Sequence, residues 1–348
     1  MLGIDLFAGA GGMSVGASAA GIDIQLAVEN DPHAAATYGA NHSSVELFND
    51  DIRKLRDIDV IRRKQQLVVF GGPPCQGFST SNQKTRRIDN PNNWLFKEFL
   101  RVVRFVQPDW VVFENVKGIL ETGKGVFVEQ IVQKFERLGY TVTFDVLNSA
   151  DFGVAQRRAR FFLVASRNGV SFKFPKPLKS KAVTVDDAIS DLPKLSNGAN
   201  EILLPYRKGA VSAYARSLRR TRKYSSNHLV TNNAKHIIER FKHVPQGGNW
   251  EDIPARLMKN YKDRTRCHTG IYHRLCAKEP SKVIGNYRKN MLIHPYFDRG
   301  LSVREAARLQ SFPDWFEFKG SIGFQQQQVG NAVPPLLAKA LFNQLTKY

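Results

Sequence analysis

Cysteine is scarce in this sequence, and long apolar runs are absent. The 348 residues include three cysteines, Cys75, Cys267 and Cys276, an odd number that does not suit a disulfide framework and indicates a reducing compartment. No segment approaches the roughly 18 consecutive apolar residues of a membrane span. The residues after Met1 do not form the basic stretch followed by an apolar stretch that marks a secretory signal. We therefore expect a cytoplasmic protein that has no membrane partner.

Acidic residues are few between positions 167 and 300. This stretch holds 27 Lys plus Arg against 10 Asp plus Glu, a net charge of +17, whereas the other 214 residues carry only +3. The run from Tyr206 to Lys223 contains no acid at all. Basic residues spread over a solvated surface are the alternative explanation, but so uneven a distribution favours a polyanion that binds this stretch.

Metal-binding spacings are absent as well. Cys267, His268, His273 and Cys276 lie close together, yet they form neither a Cys-x-x-Cys nor a His-x-x-x-His pattern. Zinc is the alternative that two cysteines and two histidines suggest. Because the spacing does not fit, we expect no metal cofactor.

Strand and helix patterns alternate through the first 166 residues. Apolar runs predict strands at Ile4–Phe7, Ile24–Glu29, Leu67–Phe70, Trp110–Phe113, Thr141–Leu147 and Phe161–Ala165. Helical spacing of apolar residues predicts helices over 31–38, 93–106 and 126–138, and Asp31 followed by Pro32 suits a helix start. This order predicts an α/β fold, a doubly wound, mostly parallel sheet with helices on both faces.

The pattern changes after Ser166. Residues 167–314 predict a second, smaller, loop-rich basic domain, whose last part, 301–314, leads back to the first domain. There Ser302 and Glu305 form a capping box for a helix that we expect to stop at Pro313. A last amphipathic helix, over 336–345, returns to complete the first domain. That domain therefore comprises residues 1–166 and 315–348.

Cys75 stands in an unusual context. The run Gly71-Gly72-Pro73-Pro74-Cys75-Gln76-Gly77 directly follows an apolar strand pattern. Two prolines restrict the backbone before the thiol, and glycines on both sides let a loop approach a ligand. A structural cysteine is usually a small apolar residue inside a strand or helix. This context therefore favours a reactive nucleophile.

A glycine-rich turn joins the first strand to the first helix. Gly9-Ala10-Gly11 follows Phe7, and Glu29 comes 20 residues after Gly9, where an acid can hold ribose hydroxyls. Ser14 stands where the pattern Gly-x-Gly-x-x-Gly has its third glycine, so the nicotinamide fingerprint is incomplete. The turn predicts a nucleoside-bearing cofactor. A glycine-rich turn without a ligand is the alternative.

Six strings occur in one order along the chain. They are Asp5–Gly12, Pro73–Gln76, Glu114–Val116, Gln156–Arg160, Arg304–Asp314 and Gln328–Pro335. Together they resemble the cytosine-5 DNA methyltransferases of bacterial restriction–modification systems, over the whole chain except the variable basic region. The resemblance implies a Rossmann-like, S-adenosylmethionine-dependent methyltransferase fold with a target-recognition domain. The implied activity is methylation of carbon 5 of a flipped-out cytosine in a specific sequence of double-stranded DNA.

The resemblance assigns the chemistry to four side chains. The Cys75 thiolate adds to carbon 6 of the cytosine, which makes carbon 5 nucleophilic, and Glu114 protonates or hydrogen-bonds ring nitrogen 3. Arg158 and Arg160, which alternate along one extended face, reach the carbonyl oxygen of the cytosine or phosphates. Without the resemblance, Glu114 suits a helix cap or a surface acid, and the two arginines suit a solvated pair.

The resemblance also assigns binding residues. S-adenosylmethionine lies over Phe7, with Glu29 on the ribose and Asp51 at the adenine amino group; Gly9, Gly11, Pro74 and Asn331 complete this cofactor set. The expected DNA contacts are Ser79, Ser81, Arg219, Arg220 and Arg274. The segment from Ser79 to Asn93 is expected to be a loop that closes over the flipped-out cytosine. For Arg274, packing inside the domain is the alternative.

Two positions depart from the family. Asn30 replaces an aromatic residue that stacks on adenine in some relatives, so we expect that contact to be missing. Val283-Ile284 replaces a Thr-Leu pair, which removes a hydroxyl contact to DNA.

Two other functions stay open. One is methylation of a transfer RNA by the same chemistry, against which stand the large basic region and the string Arg304–Asp314. The other is a catalytically silent DNA-binding regulator, against which stands the intact set Cys75, Glu114, Arg158, Arg160 and Asn331. For the methyltransferase we expect a monomer that releases S-adenosylhomocysteine. We also expect a restriction endonuclease that shares the DNA target and need not bind the protein.

Overall fold

The described part of the chain divides into two compact units. The computed structural model describes residues 1–62, 64–74, 95–259, 261, 270–285, 287, 289 and 291–348. The first unit contains Met1–Phe152, Ala159–Leu178 and Pro335–Tyr348, and the second contains Gly153–Arg158 and Lys179–Pro334. The division into a catalytic and a recognition domain stays a prediction, and the compact units have other limits than the predicted domains. No helix in the described residues is long and apolar enough to cross a membrane.

The described residues of the first unit form a seven-stranded sheet. Its strands are β1 (Leu2–Leu6), β2 (Asp23–Val28), β3 (Glu46–Phe48), β4 (Leu67–Gly71), β5 (Trp110–Val116), β6 (Thr141–Asn148) and β7 (Ala159–Ser166). Their order across the sheet is β3-β2-β1-β4-β5-β7-β6. Its helices are α1 (Gly12–Ser18), α2 (Pro32–Asn41), α3 (Leu95–Val106), α4 (Val126–Arg137) and α10 (Pro335–Leu345). Strands β1 to β5 pair in parallel, and β7 runs antiparallel to both β5 and β6. The predicted doubly wound, mostly parallel sheet is confirmed.

The strand order reverses beside β1, which pairs with β2 on one side and with β4 on the other. All five residues of β1 and all five of β4 are buried, because helices cover both faces of a parallel sheet. At such a reversal the loops after neighbouring strands diverge and leave a crevice at the carboxyl ends of the strands. The fold therefore places a binding crevice after β1, β2 and β4.

Helix α3 forms one wall of the first unit. Its buried residues Phe96, Phe99, Val102 and Val103 recur at helical spacing and face the sheet. Both phenylalanine rings pack edge-on against Phe113 of β5, with ring centroids 5.5 Å and 5.8 Å apart. The predicted helix over 93–106 is thus present, and it begins at Leu95 within the described residues.

Helix α10 closes the first unit by packing against α1. A Cβ atom on Gly16 would lie only 2.5 Å from the Ala338 Cβ and 2.6 Å from the Pro335 carbonyl oxygen. The two helices therefore approach closely because position 16 has no side chain. The last helix thus belongs to the first compact unit, and its part in a catalytic domain stays a prediction.

The second unit contains a two-stranded antiparallel sheet and several short helices. The strands are β8 (Asn200–Pro205) and β9 (Tyr224–Leu229); the helices are α5 (Val185–Ile189), α6 (Ala213–Arg219), α7 (Lys235–Lys242), α8 (Val303–Leu309) and α9 (Ile322–Asn331). Ser302 and Glu305 form the predicted capping box at the start of α8. Helix α8 ends at Leu309, four residues before Pro313, where we expected it to stop.

Buried arginines of α8 hold the second unit together. Arg308 donates to both carboxylate oxygens of Asp314, at 2.5 Å and 2.6 Å, and to Asp191 Oδ1 at 3.1 Å. Burial alone would raise the pKa of Asp314, but the hydrogen bonds and charge of Arg308 lower it below its usual value. The string Arg304–Asp314 is thus a structural core of this unit.

Residues 315–334 belong to this compact unit, whereas the predicted first domain includes them, and the domain boundary itself stays a prediction. Arg304 donates to the carbonyl oxygens of Ser226 at 2.8 Å and Phe316 at 2.6 Å. Gln310 donates to the Val329 carbonyl oxygen at 2.6 Å. These buried hydrogen bonds hold the segment after α8 against α8 and β9. Spacing along the sequence does not encode such long-range contacts.

Candidate active site

The loop after β1 takes backbone conformations that suit close approach to a ligand. Phe7, Gly9 and Gly11 all have positive φ angles, 60°, 56° and 95°. A Cβ atom on Gly11 would lie 2.6 Å from His42 Nε2, so glycine is required there for space as well as for conformation. At Gly9 a Cβ atom would meet no atom within 4 Å. The loop therefore turns sharply between β1 and α1 and leaves open space beside Gly9.

Glu29 links this loop to the end of β2. Its carboxylate accepts hydrogen bonds from the Gly9 amide at 2.7 Å and the Asp31 amide at 2.8 Å. Burial raises the pKa of Glu29, while the two amide hydrogen bonds oppose that shift. Asp31 in turn caps α2, as predicted, and accepts from the amides of His33 and Ala34. The Glu29 carboxylate is therefore held in one orientation by two backbone amides, one after β1 and one after β2.

Ser14 explains why the glycine fingerprint is incomplete. The Ser14 hydroxyl donates to Asp5 Oδ2 at 2.6 Å and lies 2.9 Å from the Tyr38 hydroxyl, and all three side chains are buried. Burial raises the pKa of Asp5 to about 8, with smaller effects from the Ser14 hydrogen bond, which lowers it, and the Glu29 charge, which raises it. Where a dinucleotide fold has glycine for close packing, this chain has a hydroxyl bridge between α1 and β1.

A cavity of about 560 Å³ opens at this end of the sheet. Four of the predicted cofactor residues, Phe7, Glu29, Asp51 and Pro74, line it together. The lining also contains Val28, Asn30, Asp50, Ile52, Arg53, Leu95, Lys97 and Glu98. Of these, only Asn30 was considered as a site position from the sequence, and the other seven were missed. The position of Ile52 directly after Asp51 was the signal that could have indicated it.

Asp51 caps a short 3-10 helix, Ile52–Lys54, at the wall of the cavity. Its carboxylate accepts from the Arg53 amide at 2.9 Å and from Arg53 Nε at 3.0 Å. Hydrogen bonds from the Arg53 side chain and amide lower the pKa of Asp51 to about 2. Asp51 is thus a residue of the cavity wall whose carboxylate, an acceptor of hydrogen bonds, is ionised.

Glu114 and Arg160 form an ion pair across two neighbouring strands. Arg160 Nε lies 2.9 Å from Glu114 Oε1, and both side chains are about nine-tenths buried, with exposed fractions of 11% and 12%. Burial lowers the pKa of Arg160, and the charge of Glu114 opposes that shift. We expected Glu114 directly after its strand; β5 instead continues to Val116, so Glu114 lies within the strand.

The Glu114 carboxylate reaches the segment that leads to Cys75. A Cβ atom on Gly72 would lie 2.5 Å from Glu114 Oε2, so the carboxylate occupies space that glycine leaves open. The neighbouring Asn115 donates to the Pro73 carbonyl oxygen at 3.3 Å. These contacts fix the Gly-Gly-Pro-Pro segment beside the acid. Cys75 itself, with Ser79 and Ser81, lies outside the described residues.

Arg158 occupies a different place from Arg160. It belongs to the second unit and is buried, and it donates to the carbonyl oxygens of Ile284 at 3.3 Å and Gly330 at 2.8 Å. Position 330 must be glycine because a Cβ atom there would lie 2.2 Å from the Gly285 carbonyl oxygen. We expected Arg158 and Arg160 to lie on one face of an extended segment. Arg158 instead precedes β7 and donates to main-chain carbonyl oxygens, whereas Arg160 lies within β7.

Asn331 ends α9 in the second unit. Its side chain is exposed and is not among the described residues that line the cavity. Its predicted contribution to the cofactor and cytosine sites stays a prediction.

Arg274 is a structural residue of the second unit, which corrects the expected DNA contact and favours the alternative of interior packing. Its side chain is only 6% exposed. The guanidinium group donates to the carbonyl oxygens of Phe241, Val244, His294 and Phe297 and to Asp298 Oδ1. A guanidinium group whose hydrogens are used in this way has little left for a phosphate.

Arg219 and Arg220 differ although they are neighbours. Arg219 lies over the Tyr206 ring, 3.8 Å from its centroid, and donates to the Lys208 carbonyl oxygen at 2.8 Å. Arg220 is exposed at the end of α6 and has a φ angle of 53°. Of the two, Arg220 is better placed for a phosphate contact.

The metal prediction rests on spacing, because Cys267 and His268 lie outside the described residues. Within the residues that the structure describes, no group of three or more His, Cys, Asp or Glu side chains is arranged to hold a metal ion.

The sequence as a whole matches one family model. The model of the C-5 cytosine-specific DNA methylases matches residues 1–347. The chain belongs to this family. It is therefore a DNA cytosine-5 methyltransferase, as the six ordered strings indicated.

Relatives of this methyltransferase match along nearly all of its length. It is 40% identical over 349 residues to the Type II methyltransferase M1.HphI of Haemophilus parahaemolyticus, which covers 99% of this chain and 86% of the relative. It is 32% identical to the Type II methyltransferase M.DdeI of Desulfomicrobium norvegicum, over 99% of this chain and 88% of the relative. A solved structure described as a DNA modification methyltransferase from an E. coli prophage is similar with a TM-score of 0.80 and 26% identity, over 100% of this chain and 99% of that one.

Proposed function

We propose that this methyltransferase transfers the methyl group of S-adenosylmethionine to carbon 5 of a flipped-out cytosine in one sequence of double-stranded DNA, through a covalent adduct with Cys75. The observation that carries the proposal is the continuity of two sites. Pro74 lines the cavity with Glu29 and Asp51, and Gly72, two residues earlier, lies against the Glu114 carboxylate. A nucleoside site and a buried acid therefore flank the segment that leads to the thiol.

The cavity residues fit S-adenosylmethionine, which supplies the methyl group when bound. The fixed Glu29 carboxylate suits the two ribose hydroxyls, and the ionised Asp51 carboxylate suits an amino group of adenine. Phe7 adds an aromatic surface at the start of the glycine-rich loop. Asn30 lines the cavity where some relatives have an aromatic residue, so the second stacking surface is absent at that position.

The Glu114–Arg160 pair suits the activation of cytosine. Arg160 holds Oε1, while Oε2 lies on the side of Gly72. In the proposed reaction Glu114 assists at ring nitrogen 3, and the Cys75 thiolate adds to carbon 6, which breaks the double bond between carbons 5 and 6. After carbon 5 has taken the methyl group, its hydrogen leaves as a proton. Elimination of the thiolate then restores the double bond.

The substrate is proposed to be double-stranded DNA bound by the basic residues between 167 and 300. A base inside a duplex cannot reach an enzyme nucleophile, so the target cytosine has to leave the stack. The names of the relatives support a restriction–modification role in which an endonuclease shares the target. We also propose that the protein acts as a monomer in the cytoplasm.

One experiment tests the substrate class. Purified protein is incubated with S-adenosylmethionine that carries a radioactive methyl group, and with either genomic double-stranded DNA or transfer RNA. Label in DNA, mapped by bisulfite sequencing to a single sequence, supports the proposal. Label in transfer RNA alone would favour the alternative substrate. Absence of label in both, from protein that binds DNA, would favour the silent regulator.

A further inference from the structure

An arginine outside the cavity holds the short turn that carries Asp51. Arg101 of α3 donates from Nη2 to the Ile52 carbonyl oxygen at 2.8 Å. The same side chain donates from Nε to Glu98 Oε2 at 2.7 Å. Glu98 lies one turn earlier on α3, so the helix orients Arg101 through an (i, i+3) ion pair. A chain of two hydrogen bonds thus runs from α3 to the middle of the turn.

The backbone of the turn has few hydrogen bonds of its own. Ile52–Lys54 is a single 3-10 turn, closed by hydrogen bonds from the Lys54 amide to the Asp51 carbonyl oxygen at 2.8 Å and from the Leu55 amide to the Ile52 carbonyl oxygen at 3.1 Å. A turn this short gains few hydrogen bonds for the backbone angles that it fixes. External contacts therefore help to decide where the backbone of the turn lies, and the hydrogen bond from Arg101 is charge-assisted, the stronger kind.

The turn provides consecutive residues of the cavity wall. Asp51, Ile52 and Arg53 all line the cavity, whereas Arg101 does not. Arg101 can therefore influence a ligand through the turn, and through its partner Glu98, which also lines the cavity. The Ile52 carbonyl oxygen, which Arg101 holds, belongs to the residue directly after Asp51, and both residues line the cavity.

We infer that Arg101 is a positioning residue for the purine end of the cofactor, because it fixes the turn that presents Asp51 and Ile52. The inference rests on the proposed use of S-adenosylmethionine. The residue touches neither ligand nor reacting atoms, so its loss should weaken binding while the chemical step survives.

Isothermal titration of the full chain tests this inference, with two ligands and three variants. S-adenosylhomocysteine contains the purine, the ribose and the amino-acid part, and 5′-methylthioadenosine lacks the amino-acid part. Arg101→Ala removes both hydrogen bonds, and Arg101→Lys keeps the charge without the two-pronged geometry. Arg104→Ala is the matched control, since Arg104 lies on the same helix, is exposed and does not line the cavity.

We expect Arg101→Ala to raise the dissociation constants of both ligands by about tenfold, near the lower end for a hydrogen bond from a charged group. Arg101→Lys should lie between Arg101→Ala and the wild type, and Arg104→Ala should stay within about twofold of the wild type. In turnover assays KM for S-adenosylmethionine should rise and kcat at saturation should be retained. Thermal unfolding of each variant verifies that the protein measured is folded.

Wild-type affinity of Arg101→Ala for both ligands would overturn the inference, and so would a loss confined to S-adenosylhomocysteine. If Arg101→Ala does not fold, Arg101→Lys decides, since affinity equal to that of the wild type contradicts a positioning role. If the wild type itself binds neither ligand, the proposed cofactor is wrong. Wild-type binding with unaffected variants leaves the cofactor in place and removes only the role of Arg101.

Discussion

Arg160 Nε and Glu114 Oε1 lie 2.9 Å apart on two antiparallel strands, with both side chains about nine-tenths buried. The register pairs Val116 with Arg160 and Glu114 with Phe162, so the two charged residues are diagonal neighbours on the sheet. A buried ion pair costs desolvation of both groups and is weak evidence for stability alone. Its position beside Gly72, three residues before Cys75, suits a catalytic acid that is held in one orientation.

Replacing the acid tests this assignment. We expect Glu114→Gln to lower the single-turnover rate of DNA methylation by about 10² to 10⁴, the usual reach of acid–base assistance. Asp145→Asn, a change of an exposed acid on β6, is the control and should leave the rate unchanged. A Glu114→Gln rate equal to that of the wild type would show that Glu114 is not near the cytosine ring.

Replacing the thiol tests the covalent step. Cys75→Ser should abolish methyl transfer while duplex and cofactor binding survive, because a hydroxyl group is a far weaker nucleophile than a thiolate at neutral pH. A duplex with 5-fluorocytosine at the target gives a second readout, since fluorine cannot leave carbon 5 as a cation and the adduct persists. Turnover within tenfold of the wild type, or a trapped adduct in the variant, would contradict the role of Cys75.

The two neighbouring arginines of the basic run should respond differently. Arg220→Ala should flatten the slope of log affinity against log salt by up to about 1 unit for specific and non-specific duplexes alike, without loss of stability. Arg219→Ala removes the contact with Tyr206 and the hydrogen bond to Lys208, so it should lower the unfolding temperature. Salt titrations and thermal unfolding of both variants check this, and an unchanged slope for Arg220→Ala would contradict a phosphate contact.

Two glycine positions give a matched pair for the packing of α10. Gly16→Ala places a Cβ atom 2.5 Å from the Ala338 Cβ, and overpacking of this kind costs about 1–3 kcal/mol of unfolding free energy. At Gly39, in the exposed part of α2, the nearest atom lies 3.7 Å from the added Cβ. Gly39→Ala should therefore raise stability by up to about 1 kcal/mol, since alanine favours helix. Urea unfolding measures both, and a neutral Gly16→Ala would contradict the close approach of α1 and α10.

The pH dependence of stability should report on Asp5. Burial raises the pKa of Asp5 from 3.8 to about 8, so the folded protein keeps a proton that the unfolded chain has released. The stability that this group contributes is fully present below the pKa of Asp5 in the unfolded chain, and it is lost as the pH rises through the folded-state pKa of about 8. Asp5→Asn keeps an acceptor for Ser14 and should flatten that part of the curve of unfolding free energy against pH. Identical curves for the wild type and Asp5→Asn would contradict the shift.

Local features of the sequence determined most of the fold and part of the cofactor pocket. The alternation of apolar strands with helical spacing predicted six of the seven strands, all but β3, and Asp31 and Ser302 marked helix starts that the structure contains. Such features depend on residues a few positions apart, so they can be recognised along the chain. Among the cavity residues, Glu29 followed from its spacing after the glycine-rich turn, whereas Phe7, Asp51 and Pro74 were expected only from the resemblance to the family.

Only the tertiary structure decided which charged groups meet. An arginine in a sequence looks the same whether its side chain is exposed, as that of Arg220 is, or bonds to buried carbonyl oxygens, as those of Arg158 and Arg274 do. The distinction depends on acceptors contributed by segments as far as 172 residues away, in the case of Arg158 and Gly330. The support of the Ile52 turn by Arg101, 49 residues later, has the same origin. Periodicity and capping are encoded locally, but partners across the fold are set by packing, and the sequence carries no short-range signal of them.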